Sequence, residues 1–213
     1  MSWPIKEVRM SSATRAGCAL VLISLVATVT AAAQGTRVQF GAGGSLTVPT
    51  GNYHSDENGD GFKVGWQGTA LVDFKLSRSP LGFRVDGIFG ENGGNDKLNA
   101  DLSAAAGVPI EGKTKLLGAN VDLTYNFRSS KGVQGYLLTG IGLYNVKFSA
   151  KSGNVTADTS KTKFAWNVGG GFIHRVGGIT ALFFEFRYFE PGEFLGYKTT
   201  HFPITGGVRL GGL

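Results

Sequence analysis

The side chains that could do acid–base, nucleophilic or metal chemistry are few and scattered along this chain. His54, His174 and His201 are the only histidines. A hydrolytic or acyl-transfer centre needs a His within reach of a nucleophile, with a third polar group to orient it. Ser55 adjoins His54, but neighbours in an extended chain point to opposite faces. No Ser follows His174 or His201 at short spacing. The histidines therefore read as polar, non-catalytic residues, and the sequence predicts neither an enzyme nor a bound cofactor. The stretch "DENGDG" (56–61) matches the opening of a calcium loop, with Asp56, Asn58 and Asp60 at positions one, three and five before Gly61. Position twelve is Gln67 rather than a bidentate Glu. A flexible polar hairpin loop is the plainer reading, and weak divalent-ion binding by Asp56, Asn58 and Asp60 is the alternative.

The remaining charges are spaced differently. In "LFFEFRYF" (182–189), Glu185 and Arg187 stand two residues apart, flanked by Phe183 and Phe189 in the same phase. Leu182, Phe184, Phe186 and Tyr188 occupy the other phase. In an extended chain this makes one oily face and one face carrying a carboxylate beside a guanidinium. The pattern recurs along the sequence. Residues 37–48 oppose Val38, Phe40, Ala42, Leu46 and Val48 to Arg37, Gln39, Ser45 and Thr47. Residues 64–76 oppose Trp66, Val72 and Phe74 to Gln67, Asp73 and Lys75, and 81–90 oppose Phe83, Val85 and Phe89 to Arg84 and Asp86. Residues 116–127 oppose Leu117, Val121, Leu123 and Tyr125 to Asn120, Asp122 and Thr124. Period two over such lengths means strand.

Four further strands fall in 133–148, 164–174, 179–190 and 202–210, the last carrying Arg209. In 133–148 both phases are apolar; Tyr136, Leu138, Tyr144, Val146 and Phe148 are assigned to the oily face because Asn145 and Lys147 occupy the other. Each of the eight strands reaches the roughly 9–11 tilted residues that cross a bilayer. Their connections alternate: short turns at 77–80, 128–132 and 175–178, long loops at 49–63, 91–115, 149–163 and 191–201. In the second long loop, 95–107 reads as a short helix with Asp96 as its N-cap and Leu98, Leu102 and Ala105 on one side.

Charged residues make up 17 % of the 213-residue chain, against about 25 % in soluble globular proteins. The net charge of +6 is spread without a basic stripe, which excludes nucleic-acid binding. At the N-terminus, basic residues precede "AGCALVLISLVATV" and the small-residue sequence "TAAAQG". These 14 residues fall short of the ~20 needed for a membrane-spanning helix. Residues 1–33 therefore read as a secretory signal peptide, and 34–213 as one domain. The only cysteine, Cys18, lies inside that signal.

An eight-stranded soluble barrel would hide the oily face; a membrane barrel would expose it. Trp66, Phe83, Tyr125, Tyr136, Trp166 and Tyr188 fall near strand ends, with aliphatic residues and glycine between, as lipid–water boundaries favour. The sequence thus predicts an all-β, eight-stranded antiparallel up-and-down transmembrane barrel with short periplasmic turns and four long extracellular loops. Asp73, Lys75, Arg84, Asp86, Asp122, Glu185, Arg187 and Arg209 would then form a charge network in the lumen. A hairpin centred on Arg78 and Ser79 sets Asp73 opposite Arg84.

"FFEFRYF" and "PITGGVRL", with the eight strands and signal peptide, resemble the small outer-membrane barrels of the OmpA/OmpX type over residues 36–213. The resemblance implies a Gram-negative outer membrane with its lipids and lipopolysaccharide, and insertion by the barrel-assembly machinery. The expectation is a monomer acting in envelope structure or surface contacts through its loops. A narrow small-solute channel and a lipid-modifying enzyme are the alternatives.

Overall fold

The computed structural model describes residues 36–55, 59–127, 132–194 and 197–211. The expected signal peptide, 1–33, lies outside the described residues, as does most of the expected turn at 128–132. The barrel strands are β1 (Thr36–Pro49), β2 (Gly65–Leu76), β3 (Leu81–Gly93), β4 (Glu111–Asn126), β5 (Val133–Ser152), β6 (Val155–Gly177), β7 (Thr180–Glu190) and β10 (His201–Gly211). They close in the order β1-β10-β7-β6-β5-β4-β3-β2, and the paired strands run antiparallel. Closure leaves no sheet edge to face hydrocarbon, where an unpaired backbone group would find no partner. Among the described residues no helix is long and apolar enough to cross a membrane.

The oily faces point outward. Phe40, Leu46, Phe83, Leu117, Val121, Leu123, Phe172, Leu182, Phe184 and Phe186 are all exposed, while Gln39, Thr47, Asp73, Arg84, Asn120, Asp122 and Asn167 are buried. A soluble protein does not display so continuous an apolar wall. Detergent-solubilised protein is accordingly expected to keep its fold cold and to migrate faster unheated than boiled on electrophoresis. Identical mobility in the two lanes would contradict a lipid-facing barrel.

Strand β5 faces the opposite way from the sequence expectation. Tyr136, Leu138, Tyr144 and Val146 point into the lumen, and Leu137, Ile141 and Leu143 point out. The polar markers explain the inversion. The loop-end parts of β5 and β6 continue as a hairpin to a turn at Gly153 (φ 55°), so 149–163 is strand rather than loop. Asn145 and Lys147 belong to that extension, where the outward face meets water instead of lipid. Lys147 accordingly pairs with Asp158 across the outer side, at 2.6 Å.

The other long connections are also partly ordered. Between β3 and β4 lies helix α1 (Asp96–Ala106), capped by Asn95 rather than Asp96: the Asn95 Oδ1 accepts a 2.8 Å hydrogen bond from the Leu98 amide. Asp96 is displaced into the first helical turn, where its carboxylate pairs with Lys63 at 2.7 Å. A 3-10 turn (Gly51–Tyr53) follows β1, and β8 (Glu193–Phe194) pairs with β9 (Tyr197–Lys198) before β10.

Candidate functional site

Three guanidiniums and four carboxylates meet inside the barrel. Asp73 and Arg84 are direct partners across the β2–β3 ladder, and the Arg84 Nε donates to Asp73 Oδ1 at 3.1 Å. Arg84 Nη1 reaches across the bore to Glu185 Oε2 at 2.5 Å. Arg209 donates to the other Asp73 oxygen and, through Nη2, to the Tyr136 hydroxyl at 3.0 Å. That hydroxyl donates in turn to Glu185 Oε2 at 2.6 Å. Towards the loop end, Arg187 contacts Glu185 Oε1 at 2.5 Å, Asp122 Oδ2 at 3.0 Å and Asp86 Oδ2 at 2.6 Å. Asn120 donates to both Asp86 and Asp122, and Asn167 to Asp122. All seven charged residues are at most 5 % exposed. Charges so deeply placed persist only when paired and hydrogen-bonded.

Lys75 stands apart from this network. Half-buried near the turn end, it donates to Gln134 Oε1 at 3.0 Å and joins no ion pair among the described residues. Tyr136 must be corrected: it is 2 % exposed and belongs to the lumen, not to a lipid boundary. Its ring lies under the Arg84 and Arg209 guanidiniums, at 5.0 and 4.9 Å. Glycines make the room. A Cβ at Gly140 would come within 2.0 Å of an Asp122 oxygen, and one at Gly171 within 2.7 Å of the Tyr136 hydroxyl. The shared phase of Tyr136, Gly140, Gly142 and Tyr144 is a lumen signature that the polar-marker reading overlooked.

The other aromatics assigned to the boundaries do lie on the outer wall. Trp66 stacks edge-on to Phe89 at 5.5 Å, Tyr125 to Phe127 at 5.4 Å, and Trp166 packs against Tyr188 at 5.2 Å. Phe83 is exposed near the turn end of β3.

Above the ion pairs lies an apolar layer of buried Ile88, Leu116, Tyr144, Val146, Ala165 and Phe189. The Tyr144 hydroxyl donates to Asn120, joining the layer to the network. His201, at the loop end of β10, is buried against Phe189 at 4.9 Å, and its Nδ1 lies 3.0 Å from the Thr199 carbonyl oxygen. It opens β10 in the inward phase that Pro203 and Thr205 continue, and this turns it away from the rim. His54 and His174 are exposed.

At the extracellular mouth, Tyr53, Phe62 and Leu98 form a third apolar cluster with Leu102 and Phe148. A cavity of about 350 Å³ opens among them. Asp60 lines that cavity, whereas Asp56 and Asn58 lie outside the described residues. Among the described residues no group of three metal-ligating side chains comes together. Asp101, on α1, accepts a hydrogen bond from Lys97 that holds its carboxyl below the ordinary carboxylate range.

The family model described as "Outer membrane protein beta-barrel domain" matches residues 18–209. No curated protein matches the sequence significantly. Among solved structures, the chain is similar to Neisserial surface protein A: 19 % identity, TM-score 0.52, covering 83 % of this chain and 97 % of that one. It is similar also to a major outer membrane protein from Thermus thermophilus: 13 % identity, TM-score 0.53, covering 83 % and 99 %. At these identities the likeness concerns the fold.

Proposed function

Because the chain belongs to the outer membrane protein β-barrel domain family, and so sits in an outer-membrane bilayer with its lipopolysaccharide, we propose that it acts without catalysis and without conducting. Its role lies in envelope structure and in contacts made by its extracellular loops. The observation that carries this reading is the filled bore. Stacked ion pairs across β2, β3, β4, β7 and β10 are overlaid by the Tyr144–Phe189 layer, with ring centroids 4.6 Å apart. Eight strands leave an interior only wide enough for side chains to fill, and opening this one would uncouple several buried charges at once. The lumen charges act as an internal lock on barrel shape. Trp66, Phe83, Tyr125, Trp166 and Tyr188 anchor the wall at the two lipid–water boundaries.

Beyond the bilayer, β4, β5 and β6 rise as a wall that carries Lys113, Lys115 and Lys147 on its outer side, with Glu91 and Asp158 between them. Together with α1, this wall is the surface a partner would meet. Residues 1–33 serve as the export signal, insertion proceeds by the barrel-assembly machinery, and the protein works as a monomer.

Planar-bilayer recording tests the sealed bore directly. The purified protein is expected to give no discrete conductance steps, and reproducible single-channel steps would overturn the proposal. A lipid-modifying enzyme finds no support in the histidines: two are exposed, and the third is packed against Phe189. Lipid mass spectra from cells with and without the protein are expected to coincide.

A further inference from the structure

We propose that the extracellular mouth of the barrel is a binding site for a small, uncharged, mainly apolar molecule carrying one hydrogen-bonding group. The cavity there is about 350 Å³. Protein interiors pack closely and rarely leave voids much larger than a water. At about 30 Å³ per water in the liquid, this space corresponds to roughly a dozen non-hydrogen atoms. That is the lower end of the range for ligand pockets.

The walls come from separate segments that are braced independently of what lies between them. Tyr53 projects from the 3-10 turn, Phe62 from the loop before β2, Phe148 from β5, and Leu98, Leu102 and Ala105 from α1. The helix is tied down by polar bonds at its edges rather than by filling the cavity. Asn95 donates to the Gly59 carbonyl at 2.8 Å, the Gly112 amide donates to Asn99 Oδ1 at 2.9 Å, and the Ile110 amide to Ser103 Oγ at 2.8 Å. The isolated bridge between Phe62 and Gly94 ties the loop that carries Phe62 to the residue before the helix cap. A helix held in this way keeps an apolar space open instead of collapsing into it.

The lining also sets the ligand's chemistry. Its surface is mainly aromatic and aliphatic, so it favours an apolar body. Thr114, 4 % exposed, has a hydroxyl that interacts with the Tyr53 phenol but makes no hydrogen bond of good geometry among the described residues. The Tyr53 phenol is its polar neighbour, and burial holds that phenol protonated, well above its ordinary range. A buried polar group so weakly satisfied is costly until something pairs with it. The ligand's single polar group would meet this need. The carboxylates of Asp60 and Asp101 border the space and disfavour an anion. Below, a narrow space shares Tyr53, Thr114 and Thr199 with the cavity and ends at His201. His201 packs there against Phe189 of the apolar layer, at 4.9 Å.

Protein in lipid nanodiscs, titrated with 2-naphthalenemethanol and followed by ligand-observed NMR against empty nanodiscs, tests this. Saturable binding above the empty-disc background is expected, with 2-ethylnaphthalene bound several-fold more weakly. Ala105→Trp, which fills the cavity from its rim, should weaken binding at least tenfold. Thr114→Val should remove the preference for the alcohol. Both variants should retain the heat-dependent mobility shift of the folded barrel. Uptake no greater than that of empty nanodiscs, or unchanged affinity in folded Ala105→Trp, would overturn the site. A preference that survives Thr114→Val would overturn the role given to the hydroxyl.

Discussion

Arg187→Met is expected to destabilise the barrel by about 3–5 kcal/mol, the usual cost of removing one partner from a buried ion-pair network. The guanidinium of Arg187 contacts Asp86, Asp122 and Glu185, with closest distances between 2.5 and 3.0 Å. No other described cation is paired with Asp86 or Asp122. Without Arg187, two carboxylates bridged by Asn120 remain in the bore with no directly opposing charge. Water cannot easily compensate, because the Tyr144–Phe189 layer lies above and Tyr136 with Phe183 below. Arg187→Lys should recover only part of the loss, since a compact ammonium cannot fork to three acceptors as a guanidinium does. Equilibrium unfolding in urea from lipid vesicles, followed by tryptophan fluorescence, measures both variants. A methionine variant within about 1 kcal/mol of the parent, a difference comparable to the error of denaturant extrapolation, would show that the network is not what stabilises the bore.

Ile141→Arg is expected to cost more than about 1 and up to about 4 kcal/mol, the penalty for arginine on the lipid face inside the boundaries of a barrel. Ile141 is 56 % exposed, and it pairs with Val121 and Trp166, both also on the outer wall. Asn145→Arg, further along β5 in the same outward phase, should cost no more than about 1 kcal/mol, because it stands beyond the hydrocarbon band, where the penalty fades. The contrast between the two isolates the bilayer as its cause. Equal effects at both sites would mean that the outward face of β5 does not meet hydrocarbon there. The same unfolding measurement decides it, and it tests the orientation of the strand that the alternation alone misassigned.

That misassignment shows how far the linear pattern reaches. In β4, Leu117 to Tyr125 alternate with Asn120, Asp122 and Thr124, so one phase is polar throughout and facing can be read directly. In β5 both phases are apolar, and Asn145 and Lys147 tip the reading the wrong way because they lie beyond the hydrocarbon band. The inward glycines of β5, Gly140 and Gly142, carry the better signal: large lumen side chains need space beside them. The pairing of Asp73 with Arg84 is readable because a short turn fixes the register of its hairpin. Arg187 with Asp86 is another matter. Their strands, β7 and β3, are not neighbours in the sheet, and only the curvature of the closed wall brings the side chains together.

The order of residues by itself determined the number of barrel strands and the presence of buried charges opposite an oily exterior. Those features are local: they follow from period two and from chain length between reversals. Which charges meet, which way β5 faces, where His201 lies, and the cavity under α1 were decided by closure of the barrel. Each depends on distances across the bore or over its mouth, and such distances exist only once all eight strands have found their neighbours.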